Sequence, residues 1–437
     1  MTSTQRELRL NPFQAKVTGG GADYAQQCYS ENNLGTTDCN TYVKRRLEPM
    51  ITRDATCPFP GLCQSENTSL LIDTGFLNSH EDFGINAPPS ERFTFRRVTH
   101  CAPLSTKGRK SYRQATSDRL YAQYHYGPFF QKNYTWQYPD TALYEIQLLD
   151  YHPGHPDYEI FYMASEYSNG TRIATNYWDP IPELDRKDAD VEMYFLSANR
   201  VLFAENTTDE WYKASRPAYN ISRISTEATL QVYLQDEVAS PLACAHQEQF
   251  CNPNLPKNQR CAPLIGAAGV DAQINAEKLF PESAWPRFEW IYRALVYRAF
   301  RAPKIVKTLG SRVLSSKYAL FNSVQGPIPD NQWQLDVENW HNATLALLQD
   351  AFVSTARGDH DPRWSQWFYD PPDEESKKLC KSQKIRSNAY VSFNVFGLFF
   401  IFCLGGLIML VSITVAPIKM SVRLWRKDNN RRAQKDA

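Results

Sequence analysis

The stretch "DYHPGHPDY" sets His152 and His155 between Asp150 and Asp157, the residue types from which a divalent-metal site is built. Prolines follow both histidines, and an H-x2-H spacing places two imidazoles on neither one helix face nor one strand face. A strand-connecting turn is the better reading. "GDHDP", with Asp359, His360 and Asp361, follows the helix-stopping Gly358 and reads as a loop. Gly19, Gly20 and Gly21 stand together, but no strand pattern precedes them and no G-K-S/T follows, so they do not form a phosphate loop. The chain also lacks G-x-S-x-G, H-E-x-x-H and Walker sequences. No catalytic, cofactor-binding or metal-ligating residue is therefore assigned, and no cofactor is expected. A carboxylate pair or Ser-His-Asp site assembled from distant residues would be recognised by geometry, not by sequence.

Cysteine and asparagine carry more information. Cys28, Cys39, Cys57, Cys63, Cys101, Cys244, Cys251, Cys261 and Cys380 precede the apolar run 395–415, and Cys403 lies inside it. The C-x2-C or C-x4-C pairs that zinc prefers are absent. Close pairs in "CPFPGLC" and "CAHQEQFCNPNLPKNQRC" read as loop staples formed in an oxidising compartment. Nine is odd, so one of these cysteines is left over. Six N-x-S/T sequons, at Asn67, Asn133, Asn169, Asn206, Asn220 and Asn342, all precede the same run. At about 100° per residue Asn342 points nearly opposite Trp340, which would turn a glycan toward solvent.

The run itself, "VFGLFFIFCLGGLIMLVSITV", is the one uncharged apolar stretch of spanning length. Its 21 residues cover about 31 Å as a helix, close to the hydrocarbon thickness of a bilayer. It has no polar stripe of the kind a buried core helix shows, only Ser412, Thr414 and the small Gly405 and Gly406. Seven Lys or Arg follow the span against five in the approach "KKLCKSQKIR", which favours the C-terminal side as cytoplasmic. Mean hydropathy of −0.51 fits a water-exposed body with a single span, not a polytopic transporter. With 48 basic and 47 acidic residues, global charge points to no nucleic acid.

The elements that must position these groups follow from the patterning. Residues 1–27 read as a flexible lead. Residues 28–270 form a β-rich, cysteine-containing part, with strand-like runs "DYEIFYMASEY", "DVEMYFLSANRVLFAE" and "EATLQVYLQD" divided by turn clusters. Tyr, Phe and Trp make up 13% of the chain and suit packed strands, although exposed rings would also suit a sugar-stacking platform. Helical spacing of Phe288, Ile291, Tyr292, Leu295, Val296 and Ala299, and again over 332–357, gives a helical subdomain at 271–357. Arg287, Arg293, Arg298, Arg301, Lys304 and Lys307 read as a solvated face in preference to an anion site. Residues 358–389 form a stalk on which Trp364 and Trp367 pack against the head. A transmembrane helix at 390–416 and a basic cytoplasmic tail at 417–437 complete the chain. Lys419, Arg423, Arg426, Lys427, Arg431 and Arg432 of that tail face anionic inner-leaflet lipid.

The ordered motifs "CYSENNLGTTDCNTYVKRRL", "CPFPGLCQSENTSLLIDTGFLNSHEDFGINAPPSERFTFRRVTHCAPL", "FCNPNLPKNQRCAPL" and "LCKSQKIRSNAYVSFNVFGLFFIF" resemble large membrane proteins of filamentous fungi. The resemblance covers most of residues 24–416. It implies a multi-pass protein with an extracellular cysteine-bearing region between upstream spans and a late one, and it implies no activity. The upstream spans are missing here, the tail is short, and "MTSTQRELRLNPFQAKVTGGGADYAQQC" lacks the apolar core of a signal peptide. A fragment of a longer chain is the expectation. Together these features predict an α+β protein: an antiparallel β-rich, sandwich-like, disulfide-stapled ectodomain, a helical membrane-proximal part and one C-terminal span. The expected role is non-enzymatic, in surface binding or structural support at the plasma membrane, with a protein or glycan ligand. An ecto-enzyme resembling a glycan hydrolase is the alternative, and a cytosolic tail-anchored adaptor is the third reading.

Overall fold

The computed structural model describes residues 12–29, 39–115, 120–140, 157–168, 170–173, 177–222, 229–267, 269–270, 274, 279–281, 288, 292, 301–357, 361–367, 374–385 and 394–433. The strands in chain order are β1 Met50–Ala55, β2 Ser69–Asp73, β3 Leu77–Asn78, β4 Thr94–Pro103, β5 Lys110–Gln114, β6 Leu120–Tyr124, β7 Trp136–Pro139, β8 Glu159–Ser165 and β9 Tyr167–Ser168. They continue with β10 Thr171–Arg172, β11 Asp190–Ser197, β12 Leu202–Phe203, β13 Arg216–Ser222, β14 Thr229–Leu234, β15 Ser240–Cys251, β16 Leu320–Phe321 and β17 Val324–Gln325. The helices are α1 Pro12–Cys28, α2 Ala302–Leu309, α3 Gln332–Arg357, α4 Glu374–Lys381 and α5 Val395–Ala433.

The centre of the head is an antiparallel sheet in the order β1-β2-β4-β15-β11-β8, with β3 beside β4. All eight residues of β11 are buried, because both faces of this sheet are covered. Val191, Met193 and Phe195 point to a core shared with Tyr124 and Tyr138 of the small sheet β5-β6-β7. Tyr194 and Leu196 point the other way, to α3. The Trp340 ring sits 5.1 Å from Tyr194 and 5.7 Å from Trp211, and truncating so large a buried side chain costs about 3–5 kcal/mol. A small sheet therefore covers one face, while on the other α3 shares the cluster with Phe203, Tyr233 and Leu320 of a further sheet, so the layers are not those of a plain two-sheet sandwich. That further sheet, β13-β14-β12-β17-β16, contains one parallel pair, Leu202 with Val324.

Several sequence expectations are corrected by this packing. Residues 12–28 are not a flexible lead: α1 lies on α3, with Thr18, Gly21, Ala25 and Cys28 buried in a stripe of helical period. A Cβ built on Gly21 would overlap the Leu347 side chain, so glycine permits the close approach of the two helices. The boundary at 270/271 does not divide two cores, because strand residues such as Phe95 and Phe250 share one cluster with Phe288, Tyr292 and Trp340. By contacts the chain divides instead into residues up to Arg386 and residues from Ser387 onward. The expected stalk is partly docked: Lys384 N–H donates to Gly84 O, Asn86 N–H donates to Ser382 O, and Trp364 lies against Phe13. Lastly, α5 continues through Pro417, so the apolar run 395–415 and much of the basic tail form one helix.

Candidate functional site: an aromatic cleft on the head

The candidate site forms where residues 127–136 meet residues 172–179. Gly127 has φ of 110°, and a Cβ there would overlap the backbone of Asp179, so only glycine lets the two segments come this close. They are then joined by Asp179 N–H to Pro128 O at 2.9 Å and Phe130 N–H to Tyr177 O at 2.7 Å. Extended-chain alternation sends Trp178 inward, where its indole N–H donates to Tyr126 O, and leaves Tyr177 outside. Phe130, at a φ of 56°, turns outward to meet it. The two rings stack at 4.1 Å and 10° while Phe130 stays 56% and Tyr177 47% exposed. A bulky residue held in the left-handed region, with its ring in water, is a local cost that the surrounding fold maintains.

Beneath the pair, Phe129 packs edge-on to Phe130, Trp136 and Phe161, and Trp136 and Phe161 stack at 3.5 Å. The Lys132 ammonium lies 5.3 Å from the Trp136 ring centroid and 5.4 Å from that of Tyr134. The opening has a volume of ≈590 Å³, within the range of small-ligand sites. Arg172 forms its polar wall, bonded to Asp179, to Asp185 at 2.9 Å and to the Tyr167 hydroxyl at 2.9 Å. Burial alone would depress the Arg172 pKa, but Asp185 and Tyr167 outweigh it and hold the guanidinium above its ordinary value. Nothing in the cysteine or histidine pattern marks this site. Its sequence signal is the cluster "GPFFQKNYTW", six aromatic or amide-bearing residues behind a glycine, together with "NYWDP".

A second polar feature lies inside the head, on the α3-facing side of the sheet. Arg97 Nη2 is 2.6 Å from Glu248 Oε1, His246 Nε2 is 2.7 Å from Glu192 Oε2, and Arg301 Nη1 is 2.6 Å from Asp190 Oδ2. Thr99 Oγ1 lies 3.0 Å from His246 Nδ1, and the Tyr194 hydroxyl donates to Glu192. Burial pushes Asp190 up to about 7 against the pull of Arg301, with Glu166, Glu248 and Glu192 adding to the rise. Burial likewise depresses His341 to about 3, helped by Arg97 and His246. The cavity between these groups is only ≈20 Å³, enough for a water molecule and too small for a substrate. This network joins sheet to helix. Arg301, read from sequence as one of a solvated series, belongs to it.

The residues singled out in the sequence are scattered. Disulfides join Cys28 to Cys39, Cys57 to Cys63, Cys101 to Cys244 and Cys251 to Cys261, leaving Cys380 and Cys403 as thiols. Cys244 is not a loop staple but a residue of β15, directly opposite Cys101 of β4. Asn67, Asn133, Asn206 and Asn220 are exposed. Asn342 is half-buried on α3 between the buried His341 and Ala343, and Asn169 lies outside the described residues. Asp150, His152, His155, Asp359 and His360 also lie outside them, while Asp157 is bonded to Lys317 at 2.8 Å and Ser311 at 3.0 Å. Asp361 is bonded to Arg363. Among the described residues no three His, Cys, Asp or Glu side chains are grouped to hold a metal.

No family model matches the chain, and neither the curated proteins nor the solved structures hold a match to it.

Proposed function

We propose that this protein is a single-span membrane glycoprotein whose head lies outside the cytosol, at the plasma membrane, and binds a glycan in the Phe130–Tyr177 cleft without transforming it. The observation that carries the reading is the exposed, stacked ring pair. A flat aromatic surface in water is matched by the C–H face of a pyranose ring, which covers it while its hydroxyls reach polar neighbours such as Gln131, Lys132 and Arg172. Four disulfides support an oxidising compartment, and the exposed sequons support passage through the secretory pathway. Helix α5 supports the anchor: it is long and apolar enough to cross a bilayer. Binding is favoured over hydrolysis by what the acids of the cleft are doing. A glycosidase needs one carboxyl free to give a proton and a second free to attack or activate water. Here Asp179 and Asp185 are both paired to the same Arg172 guanidinium.

Full-length protein from a filamentous fungal host tests both halves of the reading. Treatment with an N-glycan-removing enzyme should increase gel mobility, and reductant should shift it again. Absence of both shifts would place the head in the cytosol. The detergent-solubilised protein should be retained on immobilised cell-wall polysaccharide and released by soluble oligosaccharide, with Tyr177→Ala and Phe130→Gly losing retention at unchanged melting temperature. Release of new reducing ends from the polysaccharide would favour the ecto-enzyme instead.

A further inference from the structure

Helix α5 is longer than a membrane requires. Its 39 residues extend about 58 Å, nearly twice the hydrocarbon thickness, and the apolar run ends at Val415. Just past that point Pro417 lacks the N–H that would bond to Ile413, and Thr414 Oγ1 donates back to Leu410 O at 2.8 Å. Both devices loosen the helical ladder on one side and bend helices at this place.

Beyond Pro417 the character of the helix changes. At about 100° per residue, Ile418, Val422 and Trp425 fall within an arc of about 60°. Lys419, Arg423, Arg426 and Lys427 fill an adjoining arc of about 100°. Trp425 is 66% exposed, and the four basic residues make no ion pair among the described residues. Arg431 and Arg432 add to the charge, against a single acid, Asp428.

We infer that residues 418–432 form a second membrane contact, an interfacial helix that lies in the plane of the leaflet and takes anionic phospholipid as its ligand. The inference rests on the reading of 395–415 as a span. An apolar stripe beside a basic one is the pattern of a helix seated at the headgroup level, with the stripe toward the acyl chains and the cations toward phosphate. The span tethers the segment at that depth, so it reaches the leaflet without a separate binding step. Trp425 becomes the interfacial anchor. The chain then touches the bilayer twice, through the span and through the helix that follows it.

The test uses full-length protein in phosphatidylcholine vesicles, with and without phosphatidylserine, washed in alkaline carbonate. Trp425 fluorescence is read as the difference between the wild type and Trp425→Phe. The inference expects quenching by lipids brominated near the headgroup, protection from iodide, and a severalfold weaker bromolipid effect when phosphatidylserine is omitted or when Lys419, Arg423, Arg426 and Lys427 are all changed to Gln. Quenching by iodide in protein that survives the wash would show a helix projecting into water and overturn the inference while leaving the span intact. Protection from both quenchers would place the stripe against another protein chain and overturn it equally. Release of the protein by the wash would remove the span itself, and the inference with it.

Discussion

Arg97 and Glu248 face each other across β4 and β15, each almost wholly buried, with both Nε and Nη2 of the arginine donating to Glu248 Oε1. Two charges taken out of water together are tolerated, whereas one left alone is not. Arg97→Ala or Glu248→Ala is expected to destabilise the head by about 3–5 kcal/mol in urea unfolding. The double replacement Arg97→Met with Glu248→Met should recover most of that loss. If the double variant is as unstable as the singles, the pair is not an isolated unit of the network.

Gly21 separates α1 from α3. Gly21→Leu forces a side chain into the Leu347 contact and should cost about 1–3 kcal/mol, the range for overpacking a close interface. Around Gly19 and Gly20 the space is open, so Gly19→Ala and Gly20→Ala should leave stability unchanged or raise it by up to about 1 kcal/mol each, because alanine favours the helix. Thermal melts of the three variants distinguish a packed helix from a loose lead, in which all three would behave alike.

The pH dependence carried by Asp190 has a definite sign. Its carboxyl is raised from 3.8 to about 7, so the folded head binds this proton more tightly than the unfolded chain does. The contribution is full below 3.8 and is lost as pH rises through about 7. His341, depressed from 6.5 to about 3, acts oppositely: its contribution is present above 6.5 and lost as pH falls toward 3. Asp190→Asn should remove the first trend, so that the variant loses stability on acidification from neutral pH more steeply than the wild type. Urea midpoints measured across that window check it, and parallel curves for the two proteins would refute it.

The Cys101–Cys244 disulfide closes a loop with a sequence separation of 143, against 6 for Cys57–Cys63. Loop-closure entropy makes the long link the more consequential, and replacing both of its cysteines by serine should cost about 2–5 kcal/mol. Loss of the short link should cost clearly less. Without reductant, a thiol reagent should label Cys380 in the detergent-solubilised head and spare the eight paired cysteines, as peptide mapping would read directly.

How far this architecture can be read from sequence depends on which residues carry the alternation. Runs such as "DYEIFYMASEY" and "DVEMYFLSANRVLFAE" became β8, β11 and β12, because their buried positions are mainly apolar or aromatic. The long central strand β15 escaped, for its inward positions include His246 and Glu248, which look solvent-facing until Arg97 and Glu192 are seen to pair with them. Arg301 misled for the same reason. Helix α1 was hidden by three glycines that signal looseness in isolation, although one of them, Gly21, makes a close packing contact with Leu347. The cleft depends on a contact between segments some fifty residues apart, made possible by Gly127 and Phe130 at positive φ, and local patterning does not report such meetings.

The docking of Lys384 and Ser382 onto the Gly84 turn has a mechanical meaning. If α5 is the proposed anchor, tension on the chain would be received by a few hydrogen bonds around Gly84, Ile85 and Gln383, one of them from the Gln383 side-chain amide to Phe83 O at 2.7 Å. No disulfide spans that join, since Cys380, the nearest cysteine, is unpaired. On the reading of α5 as an anchor, load would part residues 382–385 from the Gly84 turn before it reached the disulfide-linked strands β4 and β15.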